Sequence, residues 1–280
     1  MTVGEALVRA ARRLGKAGIE RPQAEARILL EAASGRGRGQ IIGFPEHPLT
    51  PAQSETFEAQ VSRRCAREPI SRILGSREFW SLRFAVGPAT LDPRPDSETL
   101  IAAVLARVPD RNAEIRLLDL GTGTGCLLLA LLSELPRATG LGIDISPAAR
   151  DTAAANAAAL GLDARAAFRV GDWLRDISAQ FDVILSNPPY IESAAIEALA
   201  PEVAQFDPRG ALDGGADGLS AYRALIPQAA KHLKPGGLLA LEIGAGQGAA
   251  VRALANNAGL DDLGGADDLA GIERCLLFSR

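Results

Sequence analysis

The chain has 280 residues, 47% of them hydrophobic, and a formal net charge of −4. This apolar content suffices for a sizeable core in one or two domains, and the acidic balance argues against a strongly basic nucleic-acid-binding protein. No apolar run is long enough to span a bilayer, and the N-terminus lacks the basic-then-apolar order of a secretory signal. Three scattered cysteines show no metal spacing and no disulfide framework. We therefore expect a cytoplasmic protein with reduced thiols and no metal site.

Residues 1–75 are predicted to form a small helical domain. Thr2 and Glu5 have the spacing of a capping box at the start of a first helix, Pro22 suits the first turn of a second, and a third follows Pro51. After Ser34, glycine and arginine alternate through residue 39, which predicts a flexible loop over residues 34–39. Residues 1–75 carry 12 basic and 8 acidic side chains. This excess suits either an RNA or acidic partner or simply a solvated helix surface.

Residues 76–95 are predicted to form a β-hairpin connector. Apolar and polar residues alternate through residues 78–86, which is the period of a strand, and a proline-rich stretch ends the hairpin. Ser97 and the acidic Glu98 then begin a helix. This helix opens the third predicted region, residues 96–280.

Strands, loops and helices alternate through residues 96–280, which predicts an α/β fold with a doubly wound, mostly parallel sheet. Strands are predicted at residues 115–120, 141–145, 166–170, 181–186 and 238–243, and helices at 126–135, 147–160 and 219–233. In open sheets of this kind, ligands bind at the carboxyl ends of the strands. The loops after these strands are therefore the first place to look for a site.

Two glycine-rich loops follow predicted strands, at residues 119–125 and 242–248. Glycines in such loops let the backbone approach a ligand closely, although a structural turn is an alternative for either loop. The first loop is favoured because the next strand ends near Asp144, where a carboxylate can accept hydrogen bonds from ribose hydroxyls. The strand after that ends in Asp172 and Trp173, which can line an adenine slot. No comparable strand that ends in an acid follows the second loop, since the acids after it lie in a glycine-interrupted stretch at residues 259–270.

An adenosine derivative suits these groups, with a dinucleotide and S-adenosylmethionine as the two options. The dinucleotide fingerprint places a pyrophosphate against G-x-G-x-x-G, whereas this loop has the spacing G-x-G-x-G and follows Asp119. A carboxylate repels a pyrophosphate but attracts the ammonium group of a methionine moiety. The charge of Asp119 therefore favours S-adenosylmethionine.

The predicted strand at residues 181–186 runs into Asn187-Pro188-Pro189-Tyr190. Two consecutive prolines end a strand because neither has an N–H group for the ladder, and they keep the preceding residue out of the helical region. These four residues, called the elbow below, present an amide and an aromatic ring at a strand end. Taken alone, they are equally compatible with a turn that packs a tyrosine.

The first glycine loop, Asp144, Asp172-Trp173 and the elbow together resemble the class I methyltransferases that modify planar nitrogen atoms. More narrowly, the chain is similar to the release factor glutamine methyltransferases of the HemK/PrmC family. This similarity also includes residues 68–75, 78–80, 93–98, 207–215, 217–219 and 233–237. It implies S-adenosylmethionine as cofactor and methylation of the glutamine side-chain amide, at N5, in the Gly-Gly-Gln motif of peptide-chain release factors. It also implies that the N-terminal helical domain helps to hold the protein substrate.

The resemblance implies three overlapping sets of site residues. The catalytic set is Asn187, Pro188 and Tyr190, in which the Asn187 side-chain carbonyl and the Pro188 main-chain carbonyl accept the two N–H groups of the substrate amide. Pro189 joins these three in the substrate-binding set, with Tyr190 packed on the flat amide. The cofactor-binding set is Asp119, Gly121, Thr122, Gly123, Thr124, Gly125, Asp144, Asp172, Trp173 and Asn187.

Three other functions share part of this pattern. A ribosomal-protein glutamine methyltransferase has the same elbow and glycine loop, but the Pro93–Asp96 segment and the short N-terminal domain favour the release factor. An adenine-N6 methyltransferase of nucleic acid uses the same elbow, but the acidic catalytic region argues against a nucleic-acid substrate. A non-catalytic adenosine-binding module would not need the elbow.

Overall fold

The computed structural model describes all 280 residues and divides them into two units. The helical unit contains residues 1–76 and 200–206, and the catalytic unit contains residues 77–199 and 207–280. No helix in either unit combines the length and the apolar character that crossing a membrane requires.

Five helices form the first part of the helical unit: α1 (Val3–Lys16), α2 (Pro22–Ser34), α3 (Arg38–Gly43), α4 (Pro51–Cys65) and α5 (Ile70–Leu74). The capping box at the start of α1 is confirmed, since Thr2 and Glu5 exchange side-chain-to-backbone hydrogen bonds. The loop predicted at residues 34–39 is shorter than expected because α3 begins inside it. Gln40 accepts the Gly37 N–H group, and Ile41 is buried in the core of the unit.

Residues 200–206 fall within the predicted region 96–280, but they lie in the helical unit. They contain a short helix, Pro201–Phe206, and its Glu202 forms ion pairs with Arg64 at 2.9 Å and with Arg67 at 2.8 Å. Arg64 is almost fully buried and also pairs with Glu25 at 2.5 Å. Two carboxylates from distant parts of the chain thus neutralise one buried guanidinium group.

A seven-stranded sheet organises the catalytic unit, preceded by a hairpin of β1 (Ser76–Phe79) and β2 (Leu82–Ala85). The sheet has the order β5-β4-β3-β6-β7-β9-β8, and β3 to β7 are parallel. Its strands are β3 (Arg116–Leu120), β4 (Thr139–Asp144), β5 (Ala166–Val170), β6 (Phe181–Ser186), β7 (Leu233–Glu242), β8 (Asp261–Asp267) and β9 (Glu273–Ser279). The chain moves outward from β3 to β5 and then returns to the other side of β3. Such a reversal opens a crevice at the carboxyl ends of β3 and β6.

Helices cover both faces of this sheet, as the predicted α/β fold requires. They are α6 (Glu98–Arg107), α7 (Cys126–Glu134), α8 (Pro147–Ala159), α10 (Ser220–His232) and α11 (Gly248–Asn257); the short helix Pro201–Phe206 is α9. The neighbours Leu117 and Leu118 on β3 belong to two different hydrophobic clusters. One cluster includes α6 and α7, and the other includes α10 and α11. The predicted fold class is therefore confirmed.

Residues 259–270, rich in glycine and aspartate, contain the edge strand β8, which was not predicted. β8 pairs with β9 in antiparallel fashion, and the register shifts near Asp262 and Asp267. Bulges and charged side chains are common devices that protect an exposed sheet edge from pairing with another chain. Asp262 also binds Arg252 of α11 at 2.9 Å, so the stretch has a clear packing role.

Candidate active site

A cavity of about 470 Å³ opens at the carboxyl ends of β3, β4, β5 and β6. Its walls include residues that directly follow each of these four strands. Nine residues of the predicted site line it: Gly121, Thr122, Gly123, Thr124, Asp144, Asp172, Trp173, Asn187 and Pro189. The other four, Asp119, Gly125, Pro188 and Tyr190, lie outside its lining. The structure thus brings loops from four separate strands to one cavity.

The glycine loop between β3 and α7 owes its shape to three left-handed residues. Gly121, Gly123 and Gly125 have φ angles of 74°, 56° and 79°, which side chains other than glycine rarely adopt. A Cβ atom on Gly121 would meet nothing within 4 Å, whereas one on Gly125 would lie 3.1 Å from Ala153. The first glycine therefore faces open space in the cavity, and the third allows close packing of a helix.

Asp144 lines the cavity at the end of β4 and is held by backbone groups. One carboxylate oxygen accepts the Gly123 N–H group at 2.8 Å, and the other accepts the Ser146 N–H group at 2.9 Å. A carboxylate has about four acceptor positions, so two remain for a ligand. The glycine loop and the start of α8 thus orient the group that was predicted to bind ribose hydroxyls.

Asp119 lies beneath the glycine loop and is fully buried. Its Oδ2 accepts the Thr122 hydroxyl at 2.7 Å, and its Oδ1 has no hydrogen-bond partner. Burial raises the pKa of this carboxyl group to about 7, although the Thr122 hydrogen bond opposes the shift. The sequence predicts that the charge of Asp119 attracts the ammonium group of a methionine moiety. In the structure its hydrogen-bond partner is Thr122, which lines the cavity.

Asp172 and Trp173 follow β5 and border the cavity together with Ile145. Trp173 has a φ angle of 51°, an uncommon conformation for a bulky side chain, and such strain concentrates at functional sites. Ile145 is 75% exposed despite its apolar side chain. An aromatic ring and an exposed aliphatic side chain in one cavity suit a flat apolar ligand group. Ile145 was not predicted as a site residue.

The elbow places the Asn187 amide at the cavity and holds it from one side. Asn187 Nδ2 donates to the Ser97 hydroxyl at 3.2 Å, so the carbonyl end of the amide is the end left for a ligand. The Tyr190 backbone oxygen accepts a hydrogen bond from Gln247 at 2.9 Å. The Tyr190 ring packs against the second hydrophobic cluster, and burial raises its pKa to about 12. The ring is therefore held by this cluster.

Three polar residues near this cavity were not predicted as site residues. Ser97 and Arg94 line it, and Arg94 is the only cationic residue that does so. Arg94 forms an ion pair with the buried Asp207. Glu242, at the end of β7, is buried, and the Ser97 and Asn187 side chains are close enough to influence its pKa. The sequence did contain a signal for Glu242, because this acid precedes the second glycine loop just as Asp119 precedes the first.

The fold and the cavity define a class I methyltransferase that uses S-adenosylmethionine. Two family models match the chain: "PrmC N-terminal domain" over residues 5–75 and "Methyltransferase domain" over residues 111–245. The chain is 50% identical over 280 residues to a release factor glutamine methyltransferase of Rhodospirillum rubrum, covering 100% of this chain and 86% of that protein. It is 46% identical over 274 residues to the one from Cereibacter sphaeroides, covering 98% and 97%. The chain belongs to the release factor glutamine methyltransferase family.

Solved structures support the same fold. The crystal structure of a ribosomal protein L11 methylase from Lactobacillus delbrueckii subsp. bulgaricus superposes with a TM-score of 0.52. The match covers 70% of this chain and 83% of that one, at 20% sequence identity. At this identity the likeness concerns the fold alone.

Proposed function

We propose that the protein transfers the methyl group of S-adenosylmethionine to the side-chain amide nitrogen of the glutamine in the Gly-Gly-Gln motif of peptide-chain release factors. The observation that carries this proposal is the orientation of Asn187, whose nitrogen is held by Ser97 while its carbonyl end remains for a substrate N–H group. The names of full-length relatives at 46–50% identity support the choice of substrate.

The cavity suits S-adenosylmethionine in shape and in charge. Open space above Gly121 and Gly123 admits a ligand close to the backbone, and Asp144 retains acceptor capacity for ribose hydroxyls. Trp173 offers a flat surface for an adenine ring. Arg94 offers a positive charge for a carboxylate, and the buried Asp119 adds a negative potential beneath the loop. When bound, the cofactor supplies a methyl group that is already activated by its sulfonium.

The acceptor is an amide nitrogen, which is a poor nucleophile because its lone pair is delocalised into the carbonyl group. The Asn187 side-chain oxygen and the Pro188 main-chain oxygen would accept its two N–H groups. These hydrogen bonds fix the plane of the amide and increase the electron density on nitrogen. The main task of the protein is then alignment for in-line displacement. The N–CH₃ bond forms as the S–CH₃ bond breaks, and the nitrogen then loses a proton to solvent.

The helical unit is proposed to contribute to holding the release factor. Its match to the model of a PrmC N-terminal domain over residues 5–75 supports that role, as does its excess of basic residues. Because translation termination takes place in the cytoplasm, the proposed substrate also implies a cytoplasmic location. A protein partner, rather than a nucleic acid, is consistent with the net charge of −4.

The test incubates the protein with S-adenosylmethionine and a purified release factor and maps the methylated peptide by mass spectrometry. We expect one methyl group on the glutamine of the Gly-Gly-Gln peptide. The Asn187→Ala variant should bind S-adenosylmethionine in calorimetry and yet produce no methylated peptide. A label absent from that peptide but present on a ribosomal protein or on DNA would refute the proposed substrate.

A further inference from the structure

Glu242 lies beside the catalytic elbow because of the strand register. β6 and β7 are parallel neighbours, and Ser186 of β6 pairs with Leu241 of β7. The next residues along the two strands are Asn187 and Glu242, which therefore lie side by side at the sheet edge that borders the cavity. Ser97, just before α6, lies within hydrogen-bonding distance of Asn187. Three polar side chains from three distant segments meet at this point.

Glu242 is costly for the fold. It is 2% exposed, and its Oε2 atom has no hydrogen-bond partner. An incompletely paired buried carboxyl group costs folding free energy that an apolar side chain of similar size would not. Ser97 is also buried, at 3% exposure. Packing alone therefore does not account for an acid at this position.

Building on the proposed function, we propose that Glu242 and Ser97 are positioning residues for methyl transfer, which orient and polarise the Asn187 amide through a chain of hydrogen bonds. Asn187 Nδ2 donates to the Ser97 oxygen, and the Ser97 hydroxyl donates to the Glu242 carboxylate, whose pKa this hydrogen bond lowers. This direction of donation excludes the flipped orientation of the amide, because a carbonyl oxygen cannot donate to Ser97. The Asn187 oxygen is thereby committed to the substrate.

The carboxylate at the end of this chain has an electrostatic effect on the acceptor. Hydrogen bonds in series polarise one another, so an anion beyond Ser97 increases the electron density on the Asn187 oxygen. The substrate nitrogen gains positive charge as the new N–CH₃ bond forms. A stronger acceptor on its N–H group stabilises that charge more in the transition state than in the ground state. The ionised form of Glu242 is therefore the active form.

Ionisation of Glu242 falls within the range of an ordinary assay. Burial raises its pKa to about 7, against the opposing effects of Ser97, Arg274 and Asn187. The charged or titratable groups that face it are Asp96, Arg274, Cys126, Tyr190, Tyr222 and Cys275. Burial raises the pKa of both tyrosines and both cysteines, so these four groups are neutral near pH 7. Glu242 is the member of this group that titrates there.

The test compares Glu242→Gln and Ser97→Ala with the wild-type enzyme in release factor methylation, from about pH 5.5 to about pH 8.5. We expect kcat at the upper pH to fall about 10- to 100-fold in each variant, as for the loss of a charged hydrogen bond. The KM for S-adenosylmethionine should change little. The ratio of wild-type to Glu242→Gln kcat should rise with pH through a midpoint near the Glu242 pKa, which is about 7. This ratio cancels the titration of other groups.

Two further variants separate positioning from folding. Ser97→Thr keeps the hydroxyl group and should recover most of the kcat that Ser97→Ala loses. Glu273→Gln removes a carboxylate that pairs with Arg252 away from the cavity, and its kcat should match that of the wild type at every pH. Calorimetric binding of S-adenosylmethionine verifies that each variant has a folded cavity.

A kcat ratio for Glu242→Gln that is near one, or that does not change with pH, would overturn the inference. Wild-type turnover of the release factor tests the proposed function by itself. The ratio of variant to wild type tests the positioning role, on the release factor or on whichever glutamine substrate the wild-type enzyme methylates. The two proposals can therefore fail separately.

Discussion

Three carboxyl groups near the cavity differ in how many of their oxygen atoms have hydrogen-bond partners. Both oxygens of Asp144 accept backbone N–H groups, whereas Asp119 and Glu242 are buried and each has one oxygen without a partner. Burial raises the pKa of both to about 7. Backbone groups therefore orient the Asp144 carboxylate for hydrogen bonding, whereas the other two carboxyl groups carry a charge only at a cost to the fold.

The raised pKa of Asp119 predicts a pH dependence of stability. A carboxyl group with a pKa of 3.8 in the unfolded chain and about 7 in the folded protein stabilises the fold below pH 3.8. This stabilisation is lost as the pH rises through the folded pKa. Between about pH 5 and about pH 8, Asp119 should lower the free energy of unfolding by about 2–3 kcal/mol. The Asp119→Asn variant should lack this decrease in the free energy of unfolding, which urea denaturation at the two pH values measures.

Asp217 provides the control for this measurement. The Arg223 hydrogen bond lowers the pKa of Asp217 to about 2, so the group stays ionised across the same pH range in both states. Asp217→Asn should therefore leave unchanged the difference in the free energy of unfolding between about pH 5 and about pH 8. An Asp119→Asn variant with the full wild-type decrease would show that Asp119 ionises normally in the folded protein.

At the level of the element, β4 contains glycines where neighbouring side chains occupy the space of a Cβ atom. A Cβ on Gly142 would lie 2.5 Å from Phe168 and 2.8 Å from the Thr122 hydroxyl. Gly142→Ala should therefore destabilise the protein by about 1–3 kcal/mol, as overpacking does. It should also weaken S-adenosylmethionine binding, because Thr122 lines the cavity. Thermal unfolding and calorimetry measure the two effects.

Gly39 in α3 is the matched position for this substitution. It is exposed, and a Cβ atom there would meet nothing within 4 Å. Alanine at an unstrained helical position stabilises by about 0.4–1 kcal/mol, so Gly39→Ala should raise the melting temperature without changing cofactor binding. Equal effects of the two variants would contradict the packing argument for β4.

Elements with a strong local pattern could be predicted from the sequence, as β5 and β6 were to the residue. β7 begins at Leu233, whereas the sequence predicts a start at residue 238. The prediction was short because Pro235-Gly236-Gly237 has the composition of a turn, although it lies within the strand. β8 was missed because its glycines and aspartates disfavour strands, and pairing with β9 overrides that preference. The elbow and the glycine loop were found because each is contiguous. Ser97 and Glu242 were not, since Glu242 meets Asn187 only through the register of β6 and β7, and Ser97 reaches Asn187 from the segment before α6.

At the level of the whole molecule, the ion pairs of Glu202 contribute to the stability of the helical unit. Burial raises the Glu202 pKa, but hydrogen bonds from its own backbone N–H group, Arg64 and Arg67 outweigh this effect, so the pKa is lowered below its ordinary value of 4.5. Above pH 4.5, where the carboxylate is ionised in both states, Glu202→Gln should therefore lower the local free energy of unfolding by about 1–3 kcal/mol. The difference from the wild type should shrink as the pH falls through the folded pKa.

Hydrogen exchange of the amides in α1, α2 and α4 measures this effect. The exposed Glu197, a few residues earlier in the chain, provides the control: Glu197→Gln should leave the exchange rates unchanged. Equal exchange in the Glu202→Gln variant and the wild type at neutral pH would show that these ion pairs add nothing to the stability of the unit.

The helical unit is not one continuous stretch of sequence, because residues 200–206 complete it. A fragment that ends at Ser76 would leave the buried Arg64 with only one of its two carboxylate partners. The same holds for a chimera of two relatives joined at residue 76, which would combine Arg64 of one parent with residue 202 of the other. Recombination between members of this family should therefore exchange residues 1–76 and 200–206 together. The residues at positions 64 and 202 indicate which pairs of parental segments are compatible.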